Sequence, residues 1–279
     1  MNSPRPPEAS IRRILVALDA SISGLSALEA AVALASRLEA ELIGLFVEDA
    51  DLLKLAALPF AREVGFPSAI RRRLGSAEME RSLRAQASRA EAALVAAADR
   101  QSVRCSFRVV RGQVTEQVLE AATEVDLLAL GRAQARAWRA GSTARVIVGT
   151  ASRPVLLLPP DAPVRPPVAV VYDGSAESAR ALLLAQRLVQ PEGDALTIMV
   201  IAADTDDAQR LRKQAAGLLE GSGFTAGYIM VLDADASGIA QTAHRLGVGT
   251  LVLAADLRRK PTALEGLLTR LDCAVILVR

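Results

Sequence analysis

The chain states one pattern twice, and that repetition restricts its fold more than any single residue does. Asp19 to Leu28 reads DASISGLSAL, and Asp173 to Leu182 reads DGSAESARAL. Each aspartate follows an unbroken apolar run, Ile14 to Leu18 in one copy and Val168 to Tyr172 in the other. The two aspartates lie 154 positions apart, and Ser21, Ala27 and Leu28 keep step with Ser175, Ala181 and Leu182. Solenoid repeats are roughly 20–50 residues long, so a period of this size describes duplicated domains. With 279 residues, 51% of them hydrophobic, the chain has enough apolar material for two ordinary cores. The organisation expected is a disordered N-terminus at 1–10, a first domain at 11–160, a Pro-rich linker at 161–167 and a second domain at 168–279.

Short apolar runs without polar alternation read as strands covered on both faces. In the first half these are Ile14 to Leu18, Leu42 to Val47, Phe107 to Val110, Leu127 to Leu130 and Val155 to Leu158. In the second they are Val168 to Tyr172, Leu196 to Ile201, Tyr228 to Leu232, Leu251 to Leu253 and Ala274 to Val278. Between them lie helical patterns. Leu25, Leu28, Val32, Ala35 and Leu38 recur at spacings of three and four, and further helices are expected near Ser76 to Arg100, Thr115 to Thr123 and Ser142 to Thr150. Alternating β and α elements predict an α/β fold of two tandem doubly wound domains, each with a mostly parallel five-stranded sheet, because parallel strands need crossover helices. The first half is the longer, and most of the excess is an insert at 49–97 carrying Arg71-Arg72-Arg73, expected on a solvated face. Ligands of such sheets sit outside the carboxyl ends of the strands, which directs attention to Asp19, Gly131 and Asp173.

Several function classes are excluded by composition. A net charge of +2 gives no basic field for nucleic acid. Two cysteines, Cys105 and Cys273, make no disulfide framework and fit a reducing cytoplasm. The opening MNSPRPPEAS has no apolar h-region, so no secretory signal is expected, and no apolar run suggests membrane insertion. His244 is the single histidine. It has no recognisable nucleophile motif beside it, and with two scattered cysteines it forms no metal-ligand spacing. No catalytic residue and no metal ligand is therefore assigned; both cysteines read as packing residues and His244 as a structural or surface side chain.

In order along the chain, the motifs resemble the universal stress protein family in its tandem, two-domain form. The first half carries Asp19 with Ser21, Gly112 with Glu116, Asp126-Leu127-Leu128-Ala129-Leu130-Gly131, and Gly141-Ser142-Thr143 followed by Pro154-Val155. The second opens with Asp173-Gly174-Ser175-Ala176-Glu177-Ser178. The resemblance implies a non-enzymatic stress-response protein with an ATP or AMP site, Mg2+ accompanying ATP. Nucleotide-binding members carry a Gly-x2-Gly-x9-Gly-Ser/Thr loop, in which glycines admit phosphates to the backbone and the closing Gly-Ser opens a helix whose N–H groups favour an anion. Carried over, Asp19 would hold the adenosine, Val47 would cover the adenine ring, and Gly131, Gly141, Ser142 and Thr143 would meet the phosphates, with Arg132 beside them.

The loop departs from that pattern. Gln134 stands where the middle glycine would fall, and the stretch from Gly131 to Gly141 is three residues short. Arg132, Arg136, Arg139 and Arg145 surround Trp138 and could supply side-chain forks to phosphate instead. In the second half Ala255, Asp256 and Pro261 replace the loop. Proline lacks an N–H and a carboxylate repels phosphate, so that site is expected to be degenerate and nucleotide to bind the first domain only. For Asp19 and Asp173 a competing reading is helix capping, since aspartate is favoured at helix N-termini. Single domains of the family pair through their last strands, which would join Val155 to Leu158 with Ala274 to Val278 as an intrachain pseudo-dimer, itself open to forming a homodimer. The alternative function is a nucleotide-free scaffold for a protein partner; weak ATPase activity would need a base or magnesium motif that the sequence does not display.

Overall fold

Unbroken apolar runs satisfy their backbone by pairing with neighbours, and ten strands join in one sheet in which eight are paired on both sides. A computed structural model describes residues 11–18, 22–58, 62–64, 71–73, 75–131, 143–159, 163–189, 196–221, 223, 226–232, 235–254 and 261–279. The N-terminal segment 1–10 lies outside the described residues. The first half contains β1 (Arg13–Leu18), α1 (Ile22–Arg37), β2 (Glu41–Asp49), α2 (Ala50–Ala56), β3 (Arg62–Val64), β4 (Arg71–Arg73), α3 (Ser76–Arg100), β5 (Cys105–Gly112), α4 (Val114–Ala122), β6 (Leu127–Gly131), α5 (Thr143–Thr150) and β7 (Val155–Leu158). The second contains β8 (Val168–Tyr172), α6 (Ala176–Arg187), β9 (Leu196–Ala202), α7 (Thr205–Leu218), β10 (Ala226–Leu232), α8 (Ala236–Arg245), β11 (Thr250–Ala254), α9 (Pro261–Leu268) and β12 (Ala274–Val278).

The sheet order is β10-β9-β8-β11-β12-β7-β6-β1-β2-β5. Within each half the pairs are parallel; the single antiparallel pair of this sheet is β12 with β7, where Val275 faces Leu157, Ile276 faces Leu156 and Leu277 faces Val155. The halves thus meet through their last strands, as the repeat predicts. Polar contacts flank this seam: Arg145 pairs with Glu265 at 3.2 Å, the Arg37 guanidinium donates to the Leu188 carbonyl at 2.8 Å, and Arg279 donates to the Val148 carbonyl.

Helix starts follow local chemistry. Asp49, Ser175, Asp204 and Asp235 each accept a backbone N–H at the first turn of α2, α6, α7 and α8. The crossover from β2 to β5 is α3, which stands where α7 stands in the second half. The added material in the first half is therefore α2, the β3–β4 pair and the extra length of α3. Arg71–Arg73 forms a strand, antiparallel to β3 with Arg62 opposite Arg73. The Pro-rich linker ends tied down. Arg165 donates its N–H to the Thr250 hydroxyl at 3.0 Å, and that hydroxyl donates to the Arg165 carbonyl at 2.9 Å. The segment passes so close to Gly249 that a Cβ there would lie 2.5 Å from the Arg165 carbonyl oxygen.

Two apolar clusters fill the two faces of the sheet. One joins Ile14, Val16 and Leu156 to Val170 and Ile276 beneath α1, α3, α6 and α7. The other joins Leu15, Leu128 and Leu157 to Leu251 and Val275 beneath α4, α5, α8 and α9. Of the stripe expected on α1, Leu28, Val32 and Ala35 are buried, whereas Leu25 in the first turn is 44% exposed. Helix α1 buries Ala27, Ala30, Ala31 and Leu34 as well, because the sheet and α3 both press on it.

Because each cluster draws on both halves, unfolding should be a single cooperative transition. Ile276→Ala, at a position with no exposed surface, should lower stability by about 2–5 kcal/mol and move that one transition as a whole. Urea denaturation followed by circular dichroism checks this; two separated transitions would contradict the shared core.

Candidate functional site

The parallel register brings the carboxyl ends of β1, β2, β5 and β6 level with one another. Leu18 faces Phe46, Ala17 faces Leu130, and Val47 faces Val110. Leu18, the last residue of β1, therefore ends level with Val47 and Gly131. On the α4–α5 face of this end Ala17, Val47, Val110 and Val114 pack on the core yet stay half-buried. Four small or branched apolar side chains make a shelf suited to a flat ring. Gly131 closes β6, and Thr143, exposed, opens α5. Of the predicted site residues, Val47, Gly131 and Thr143 are thus gathered at one end of the sheet. Asp19, Arg132, Gly141 and Ser142 lie outside the described residues, as do Gln134, Arg136, Trp138 and Arg139. Arg145, grouped with the phosphate forks on sequence, is instead drawn toward Glu265 of α9.

The opposite face of the same end is charged. Glu48 is 8% exposed and receives Arg111 at 2.8 Å, and Arg111 also reaches Glu80 of α3 at 3.4 Å. The hydrogen bond and charge of Glu48 raise the Arg111 pKa further. Glu48 and Arg111 are cross-strand partners, so the pair ties the tips of β2 and β5 together beneath the shelf. Sequence reading misses it: the signal is a charge at the next-to-last position of each strand, meaningful only once the register is known.

At the matching end of the second half the aspartate is occupied. Asp173 accepts the backbone N–H of Ser175 at 3.0 Å and its hydroxyl at 2.6 Å, while Ser175 caps α6 by accepting the Ser178 N–H at 3.1 Å. Burial pushes the Asp173 carboxyl up, but the hydrogen bonds from Ser175 and Ser178 prevail and leave its pKa lowered. Gly174 makes the turn at φ +81°, and a Cβ there would sit 2.4 Å from Leu211. Asp173 is therefore not the cap itself, which is Ser175; its carboxylate holds the turn that presents that cap. Pro261, where the resemblance would put a phosphate-binding glycine, begins α9 without an N–H to offer; Ala255 and Asp256 lie outside the described residues. Tyr172, just before Asp173, is fully buried with no hydrogen-bond partner for its hydroxyl, and burial followed by the nearby Asp173 charge raises its pKa.

His244 and Cys273 line a cavity of about 220 Å³ with Arg165, Arg270 and Asp272, at the amino ends of β11 and β12. That is the end away from the shelf. Cys105 begins the outer strand β5, where burial and then Asp99 raise its thiol pKa and so suppress the reactive thiolate. Among the described residues no group of three histidine, cysteine or acidic side chains is placed to hold a metal ion, and no helix is long and apolar enough to cross a membrane.

Comparison with known proteins adds a family to this geometry. Residues 10–159 match the model of the Universal stress protein family. No curated protein matches the chain. Among solved structures the chain is similar to a universal stress protein from Archaeoglobus fulgidus DSM 4304, with a TM-score of 0.70 at 16% identity, over 95% of each chain. It is also similar to a functionally unknown protein from Pseudomonas aeruginosa PAO1, with a TM-score of 0.57 at 17% identity, over 97% of this chain and 93% of that one. At these identities the likeness speaks for the fold alone.

The second-half turn carries two stability tests. Ser175→Ala, which removes a helix cap, should cost about 0.5–2 kcal/mol in chemical denaturation. Tyr172→Phe should leave stability equal or raise it by about 1–3 kcal/mol, since it removes a buried hydroxyl that has no partner. The lowered pKa of Asp173 gives a pH dependence. Its contribution is complete above the unfolded aspartate value of about 3.9 and is lost as pH falls through the lower folded value. The stability gap between the wild type and Asp173→Asn should accordingly be widest near neutrality and close in acid, as urea titrations at stepped pH would show.

Proposed function

We propose, for a chain that belongs to the universal stress protein family, a non-enzymatic stress-response role with one adenine nucleotide, ATP or AMP, bound per chain. The site is the carboxyl end of the first half. Asp19 meets the adenosine, Val47 with Ala17 and Val110 lies under the ring, and Gly131 lets the phosphates approach the backbone. Gly141, Ser142 and Thr143 would meet the phosphates, and Thr143 opens α5, whose start favours an anion. Arg132 supplies a charged fork, and Mg2+ accompanies ATP. A reducing, cytoplasmic setting belongs to the same proposal.

The observation that carries this reading is the inequality of the two ends. Both halves keep half-buried apolar side chains at this end, Ala17, Val47 and Val110 in the first and Val171, Ile201 and Val231 in the second, but the first adds Gly131 and an exposed helix start at Thr143. In the second half the equivalent carboxylate is consumed by Ser175, and Pro261 heads the helix. A site that has lost its free carboxylate and one helix N–H has little left to offer a nucleotide.

Equilibrium dialysis with ATP and with AMP should give one nucleotide per chain, with little preference between the two, since the shortened loop weakens the outer phosphate contacts most. Val47→Asp should cut affinity at least tenfold, the equivalent of about 1.4 kcal/mol. Arg132→Ala should do the same for ATP, a charged hydrogen bond contributing roughly 1.5–3 kcal/mol. Asp173→Ala should leave binding unchanged. No binding of either nucleotide by folded protein would remove this reading and leave the scaffold for a protein partner in its place.

A further inference from the structure

The sheet ends in two outer strands that hold the same place in their halves, β5 and β10, and the two are finished differently. An outer strand exposes a row of unpaired N–H and C=O groups, which proteins blunt with charge. β5 is blunted: Arg108 pairs with Glu124 at 2.7 Å and Arg111 with Glu48 at 2.8 Å. β10 reads AGYIMVL and carries no charge over seven residues. Met230 and Leu232 are 39% and 48% exposed, and on the opposite face Ile229 and Val231 are only half-buried. Cover is thinner there too, because α4 packs over β2 and β5 whereas α8 packs chiefly on α9. Among the described residues no strand pairs with the outer side of β10; Arg212 of α7 lies over the Tyr228 ring, 5.2 Å from its centroid.

We propose that β10 pairs antiparallel with β10 of a second copy of this chain, extending the sheet across a two-fold axis. The strand is complementary to itself. An axis at Ile229 sets Tyr228 against Met230, Gly227 against Val231 and Ala226 against Leu232, so that each flanking pair sets a small residue against a large one or an aromatic ring against a thioether. No like charges meet. The molecule already contains a join of this kind, the antiparallel seam of two uncharged strands, β7 and β12, from equivalent positions in its own halves. A two-fold join closes on itself, and the charged edge of β5 stops the sheet from growing at the other side. A foreign strand would gain the same backbone hydrogen bonds but not this side-chain match.

Sedimentation velocity of the full chain over a dilution series is the test, and it needs no nucleotide, so its outcome is separate from that of the dialysis. The wild type should be a dimer that dissociates on dilution. Met230→Lys should be a monomer with a wild-type melting curve, and Val109→Lys on β5 should remain a dimer. Should Met230→Lys unfold, Ile229→Cys gives a second readout: directly opposed residues of antiparallel strands have Cβ atoms about 4.5–5.5 Å apart, so the introduced thiol should cross-link to its own copy on mild oxidation, as peptide mapping would show. A wild type that stays monomeric throughout, a dimer untouched by Met230→Lys, or cross-linking absent at Ile229→Cys in a dimeric protein would each overturn the proposal. So would a monomer that captures an unrelated strand peptide along β10.

Discussion

Backbone hydrogen bonding between β7 and β12 is the constraint on which the remaining architecture rests. Both strands are apolar throughout and buried on both faces, so neither could stand at an edge without stranding N–H and C=O groups in an apolar setting. An unsatisfied buried group costs about 1–3 kcal/mol, and each strand has several. Pairing the two removes that cost and turns two edges into the middle of one sheet. The helices of each half then lie over strands of a common surface, which is why neither apolar cluster stops at the boundary between the halves.

The same duplication that builds the sheet has let its two carboxyl ends part company. Asp173 follows β8 as Asp19 follows β1, yet in the second half the carboxylate serves the backbone turn that starts α6, helped by a glycine that the neighbouring Leu211 will not let grow a Cβ. In the first half position 20 is alanine, where the second half has Gly174. Two copies of one motif can therefore do different work, one in holding the chain and the other, on the proposed reading, in holding a ligand.

Much of this was legible in the sequence because parallel strands buried on both faces leave continuous apolar runs. The two that join at the seam stand out for that reason, and α3 spans the residues its Ala/Arg/Glu pattern indicates. β5 is harder: as an outer strand it alternates polar and apolar residues, and its first two residues, Cys105 and Ser106, fall outside the apolar run. The β3–β4 pair is too short for any period to show. Of the proposed site, Val47, Gly131 and Thr143 were suggested by the family pattern and lie at one end of the sheet, whereas the Glu48–Arg111 tie and the pairing of Arg145 with Glu265 depend on register and on the partner half. Charges find their partners in space, and a linear pattern of arginines does not say which carboxylate will be nearest.

The strapped linker has a consequence for how the two halves experience concentration. Subunits that meet through their last strands as separate chains obey mass action and part on dilution. Here Arg165, tied to Thr250, delivers the second half to the first within one chain, at an effective concentration of about millimolar or above. The seam is then as strong in a cell holding a few copies as in a concentrated solution. It also never has to be symmetric, because a covalent pair always meets the same partner.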